Sequence, residues 1–191
     1  MDYPNINIIL DDRSPDDYGR LLGEFITQGI TKYKFWAAVI DRKTVVESIN
    51  ASFKNIVARA KGQGYKKVII AEQDLFFTHP KAWEYFLKNE PKEYDVYIAG
   101  SYLNDSRYIW EAPLVKVNEW VGNQLIIIHE RYYDTFLALD NEAHIDTVQK
   151  DKGDFYVCYP FIGLQRAGFS RNNLAICDYN QSLRKEDIYK G

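Results

Sequence analysis

The chain has 191 residues, about the length of one domain, and 24 Lys+Arg against 27 Asp+Glu give a formal net charge of −3. That mild acidity argues against a protein built to grip nucleic acid, which usually presents a strongly basic face. A hydrophobic share of 46% supports a packed core and argues against global disorder.

The first residues show no basic stretch followed by a long apolar run, so no secretory signal is read. Apolar stretches such as Leu125–Ile128 are far shorter than the ~20 residues a bilayer-spanning helix needs. Cys158 and Cys177 form no C-x-x-C pair and are read as reduced thiols. The expected location is cytoplasmic, with no transmembrane segment. The 15 Tyr, 10 Phe and 4 Trp exceed what a core of this size needs, and aromatic faces also stack on sugar rings.

In chain order, Asn5–Leu10 reads as a buried strand stopping at Asp11-Asp12. Ser14-Pro15 with Asp16 and Asp17 opens a helix carrying Leu21, Leu22, Phe25 and Ile26 and ending near Gly29. Phe35–Ile40 reads as a second strand and Val45–Lys61 as a second helix, stopped by Gly62 and Gly64. Lys67–Ala71 is a third strand ending at Glu72-Gln73-Asp74. Pro80 opens a third helix, and Asp95–Gly100 is a fourth strand. Such alternation predicts an α/β fold: a mostly parallel, Rossmann-type sheet flanked by helices.

The second half is less regular. Tyr102–Pro113 reads as a loop, and Leu114–Val117 with Gln124–His129 as strands around a Gly122-Asn123 turn. Helices are expected near Glu130 and after His144, and a strand at Phe155–Cys158. Residues 1–191 are read as one domain, with 184–191 as a loose tail.

Open parallel sheets bind ligands beyond the carboxyl ends of their strands. Those ends carry Asp11, Asp12 and Arg13, then Glu72, Gln73 and Asp74, then Ser101 and Tyr102. A carboxylate pair there suits Mg²⁺ or Mn²⁺, which are usually held by one or two carboxylates plus substrate phosphates. Read alone, Glu72 and Asp74 equally begin a loop, with Asp74 capping a turn toward Pro80. His144 and Asp146 are a second candidate: imidazole can bind metal or shuttle protons, and Asp146 can serve as general base. Asp146 also fits as an ordinary first-turn helix acid. Dinucleotide, P-loop and G-x-S-x-G hydrolase motifs are absent.

Four segments resemble bacterial glycosyltransferases of the lipopolysaccharide-biosynthesis type, glycosyltransferase family 25. They are "IILDDRSPDDYGRLLGEFITQGI", "SINASFKNIVARAKGQGYKKVIIAEQDLFF", "DVYIAGSY" and "HIDTVQKDKGDFYVCYPFIGLQRAGFSRN", in the family's order. The resemblance implies a GT-A-like nucleotide-sugar fold and sugar transfer to a glycan or lipid-linked saccharide acceptor, assisted by Mn²⁺ or Mg²⁺. It places Glu72, Asp74 and His144 at the metal and His144 and Asp146 at the chemistry. Asp11, Asp12, Arg13, Ser101 and Gln165 fall on the donor side. Tyr102, Tyr108 and Trp110 form a candidate acceptor-stacking platform.

Two positions depart from the family pattern: Gln73 replaces the middle acid of Glu-Asp-Asp, and Phe53 follows Ser52 where His is expected. These departures support an alternative, a catalytically impaired nucleotide-sugar or glycan-binding protein of the same fold. A phospho-acceptor receiver domain is a third reading, from the acids after the first strand and Asp74 ahead of Pro80.

Overall fold

The computed structural model describes residues 4–11, 13, 15–103, 107–141 and 143–191. Ser14, expected to lead the first helix, lies outside them.

Strands β1 (Ile6–Leu10), β2 (Tyr33–Ala37), β3 (Lys67–Glu72), β5 (Val96–Ile98) and β8 (Phe155–Cys158) run in one direction. Strands β6 (Leu114–Val117) and β7 (Leu125–His129) oppose them, in the sheet order β2-β1-β3-β7-β5-β8-β6. The protein is therefore mixed α/β, with a mostly parallel central sheet flanked by helices.

Val68 to Ala71 of β3 are all buried, and successive side chains pack on opposite faces with the period of two that a pleated strand imposes. Val68 and Ile70 pack with Phe53, Ile56, Val57 and Ala60 of α2 (Val45–Gly62) and Phe136 of α4 (Tyr133–Leu137). Ile69 and Ala71 pack on the other face with Leu21 and Phe25 of α1 (Pro15–Thr27) and Trp83 and Phe86 of α3 (Ala82–Lys88). Both faces are covered, which explains why β3 and β7 read as unbroken apolar runs. Among the described residues, no helix is long and apolar enough to cross a membrane.

Several expectations are corrected. The 114–117 and 124–129 segments do not form a hairpin: β6 pairs with β8, and β7 inserts between β3 and β5. The backbone still turns sharply at Gly122, whose φ is 103°. That inserted antiparallel strand also removes the receiver reading, because the doubly wound receiver sheet keeps its parallel strands adjacent in the order 2-1-3-4-5.

Asp74 does not cap a turn toward Pro80. After Gln73-Asp74 the chain enters β4 (Leu75–Phe77), paired antiparallel with β9 (Gly163–Gln165). Gly100 lets this ribbon press on the main sheet, since a Cβ there would sit 2.6 Å from the Gly163 carbonyl oxygen. Residues after His144 form successive turns rather than a helix. The polar segment after Gly163 contains a second ribbon, β10 (Gly168–Ser170) with β11 (Ala175–Cys177).

Residues 184–191, expected as a loose tail, are tied down. Ile188 forms a parallel bridge with Phe161, and Tyr189 stacks on Tyr85 at 4.3 Å between ring centroids. The Asp187 carboxylate is buried and accepts from Arg184 Nη2 (2.8 Å) and the Tyr159 hydroxyl (3.1 Å).

Candidate active site

A cleft of about 540 Å³ opens beyond the carboxyl ends of β1, β2 and β3. Its base is the Glu72-Gln73-Asp74 segment. One wall is the start of α2 (Thr44, Ser48, Ile49), another the turns around Gly122 and Asp146, and the lip is the β10–β11 ribbon. The location follows from the sheet: backbone groups and side chains fan out where strands end and the connections leave.

The carboxylates at the base are under electrostatic pressure. Burial, reinforced by Asp74 and Asp146, raises the Glu72 pKa well above the ordinary carboxylate value. Asp74 is pushed up to about 6, chiefly by burial and then by Asp17, with Gln165 and Arg166 partly offsetting this. Its Oδ1 is buried without a hydrogen-bond partner among the described residues, as is Gln124 Oε1. Two buried acceptors without donors, beside acids that repel one another, mark a site suited to a cation or a donor-bearing ligand.

Gln73, the position where the resemblance expects an acid, is engaged by the backbone. Its Oε1 accepts from the Asp11 N–H at 2.6 Å, tying the end of β1 to the end of β3. Asp11 in turn holds two arginines: Arg13 through both carboxylate oxygens (2.6 and 2.7 Å) and Arg171 Nε at 3.1 Å. The Arg13 side-chain bond is the main reason its carboxyl lies below the usual range. Arg171 Nη2 also donates to the Arg13 carbonyl at 3.1 Å, fastening the ribbon to the β1 end.

Asp146 is buried, and its oxygens accept from Gly122 N (2.8 Å), Thr147 N (2.9 Å) and Thr147 Oγ1 (3.3 Å). His144 Nε2 faces the Asn172 amide at 3.1 Å. Among the described residues, no three His, Cys, Asp or Glu side chains group as a preformed metal cage. His144 therefore does not join Glu72 and Asp74 as expected from the sequence. The two acids supply the hard oxygen donors that a divalent ion shared with substrate phosphates requires.

Of the residues expected in the site, Asp11, Arg13, Glu72, Asp74, Tyr102, His144, Asp146 and Gln165 line the cleft. Asp12 lies outside the described residues. Ser101 is buried and does not line the cleft; its Oγ accepts from Leu103 N (3.2 Å) and Val121 N (3.1 Å), a loop clamp. Tyr108 and Trp110 are also outside it. Trp110 packs against Tyr159 and Phe161, and the Tyr108 hydroxyl bonds Asn118, because the 107–113 segment folds onto the core.

Tyr102 is held at its hydroxyl, which accepts from Gln165 N at 2.6 Å and donates to Asn180 Oδ1 at 3.1 Å. Sequence reasoning missed Arg171, Gln124 and Phe169, the last 62% exposed on the cleft lip. Arg171 and Phe169 fall inside the "GFSRN" segment, but nothing local shows that this segment crosses back to β1.

No protein-family model matches the chain, and no curated protein matches it. Solved structures that resemble it include glycosyltransferases and nucleotidyltransferases. The inositol-1-phosphate CTP transferase of T. maritima is 12% identical, with 93% of this chain and 71% of that one covered and a TM-score of 0.46. A glycosyltransferase involved in glycosylation of the major capsid of PBCV-1 is 8% identical, covering 70% and 64%, with a TM-score of 0.41. Drosophila β-1,4-galactosyltransferase 7, solved with manganese, UDP-Gal and xylobiose, is 12% identical, covering 74% and 56%, with a TM-score of 0.43. At these scores the likeness assigns no role to any residue of this chain.

Proposed function

We propose that the protein is a glycosyltransferase of GT-A-like fold, carrying a sugar from a nucleotide-sugar donor to a glycan or lipid-linked saccharide of the lipopolysaccharide type. The observation that carries this reading is the base of the cleft. There Glu72 and Asp74 are held with raised pKa values and an unpartnered Asp74 Oδ1, beside a rim carrying Arg13 and Arg171. Acids that repel one another beside guanidinium groups suit a ligand with its own cation and its own phosphates. A cleft of about 540 Å³ falls within the roughly 300–1,000 Å³ of small-molecule sites.

Glu72 and Asp74 are the residues that would hold Mn²⁺ or Mg²⁺. When bound, the ion neutralises charge on the departing nucleoside diphosphate, a Lewis-acid role. Arg13 and Arg171, both held by the Asp11 carboxylate, bring guanidinium charge to the rim, and guanidinium groups suit the oxygens of a phosphate. Asp146 accepts the proton of an acceptor hydroxyl; each of its oxygens keeps lone-pair capacity beside the Gly122 and Thr147 bonds. His144, at the lip beside Asn172, orients the acceptor. Tyr102 and Phe169 offer ring faces for a sugar.

A binding-only protein of the same fold is the second reading. It is favoured by Asp146 already accepting three hydrogen bonds, an arrangement that also serves to fasten the Gly122 turn. The deciding experiment is release of nucleoside diphosphate from a panel of UDP-, GDP- and ADP-sugars with Mn²⁺. Turnover of at least one donor supports the enzyme; measurable donor binding with no turnover leaves only the binding protein.

A further inference from the structure

The cleft residues His144 and Asp146 sit on a segment with little regular structure, yet one side chain from α2 organises its backbone. Asn50 is wholly buried. Its Nδ2 donates to the carbonyls of Ala143 (2.7 Å) and Asn141 (3.3 Å), and its Oδ1 accepts from Ile145 N at 3.2 Å. The Ile145 carbonyl is met from the other side by Gln149 Nε2 at 2.7 Å, and Gln149 is also wholly buried. Ile145, itself in the core, is thus fixed at both backbone polar groups by buried carboxamides, with His144 before it and Asp146 after it.

We propose that Asn50 is a positioning residue: its carboxamide fixes the backbone from 143 to 145 and thereby sets where His144 and Asp146 stand in the cleft. The inference rests on the reading of those two residues as the working groups of the site. Three backbone partners on one planar amide leave the segment one register. A β-turn series without that anchor has many conformations of similar energy, and a shift of about 1 Å at a reacting group can cost about 100-fold in rate. Asn50 also belongs to the helix whose first turn walls the cleft, so that wall and the 143–146 segment are tied to one element.

The test compares Asn50→Ala and Asn50→Gln with Lys54→Met in the full chain. Lys54 lies one turn further along α2 and bonds the Leu139 carbonyl, so its loss loosens the same junction without touching 143–146. The expected result for both Asn50 variants is a kcat lower by roughly 10–100-fold, the range seen when outer-shell partners are removed, with donor KM within about twofold. The donor is whichever nucleotide-sugar of the panel the unaltered protein hydrolyses fastest. The ring resonances of His144 should shift in NMR spectra while those of His79 and His129 stay in place. Lys54→Met should keep both kcat and the His144 resonances.

Unchanged kcat and unchanged His144 resonances in folded Asn50→Gln would overturn the proposal. So would a Lys54→Met variant of matching melting temperature that loses as much kcat. Because the His144 resonances need no turnover, a protein that hydrolyses no donor at all refutes the enzyme reading and leaves the positioning role still decided by NMR.

Discussion

The acids at the base of the cleft are held against their own preference, and Asp74→Asn should release that tension. An ordinary aspartate carboxyl titrates at 3.8, whereas Asp74 titrates at about 6 in the folded protein. Between those values the folded chain keeps a proton that the unfolded chain has given up. Stability therefore falls as pH rises from about 4 to about 6 and stays at the lower level above it. Two units at about 1.4 kcal/mol each give an upper figure of about 3 kcal/mol; residual solvent contact and the shared charge with Glu72 reduce it to about 1–3 kcal/mol.

Asp74→Asn keeps the shape and removes the charge, so it should be more stable than the parent by that amount at pH 7.5 and equal to it at pH 4. For a chain of this length the gain is roughly 2–10 °C in melting temperature. Differential scanning calorimetry across that pH range measures it directly. A variant that is less stable at pH 7.5, or a difference that does not change with pH, would refute the account of Asp74 as a carboxylate charged against its burial and its acidic neighbours.

Arg171→Ala should weaken binding of uridine diphosphate by roughly tenfold, the scale of one charge-assisted hydrogen bond, as read by calorimetry. Ser101→Ala should cost about 1–3 kcal/mol of stability by leaving Leu103 and Val121 N–H groups without their acceptor, while uridine diphosphate affinity stays within about twofold. At the carboxy-terminal end, burial works to raise the Asp187 pKa, but Arg184 and Tyr159 together hold it below the ordinary value. Its contribution is present above about pH 4 and lost as pH falls through the depressed folded value, so Asp187→Asn should lower the melting temperature at pH 7 by a margin that shrinks steadily as the pH is taken below about 4. Gly100→Ala should destabilise by about 1–3 kcal/mol in urea unfolding, because its Cβ meets the Gly163 carbonyl.

The first hundred residues were legible because each element there carries its own period. Leu21, Phe25 and the α2 stripe at Phe53, Ile56 and Val57 repeat at helical spacing, and β3 is an apolar run between turn signals. Strand order was not legible, since β7 has the same apolar run whether it pairs with β6 or slips between β3 and β5. Nothing local distinguishes the two. The two ribbons escaped for different reasons: β4 pairs with β9, whose residues lie far along the chain and outside any local window, whereas β10 and β11 are close in sequence but only three residues each, too short to show a period.

In the site, Glu72 and Asp74 could be picked out because charge directly after a buried strand must lie at the sheet's rim. Tyr108 and Trp110 misled because an aromatic cluster in a loop looks the same whether it faces a ligand or folds back on the core, as here against Tyr159 and Phe161. Gln73 reads from the sequence as a substituted acid, and its link to the Asp11 N–H, 62 positions away, is visible only in the fold. Arg171 and Asn50 depend on contacts spanning 160 and about 95 positions, which a sequence does not display.

The central claim is that Glu72 and Asp74 join a divalent cation to a nucleoside diphosphate in this cleft. Isothermal titration of uridine diphosphate, with and without Mn²⁺, into the parent protein and Asp74→Asn tests it most directly. The account predicts binding that needs Mn²⁺ in the parent and is lost in the better-folded variant. Binding of equal strength without Mn²⁺, or an unchanged Mn²⁺ requirement in Asp74→Asn, would contradict it.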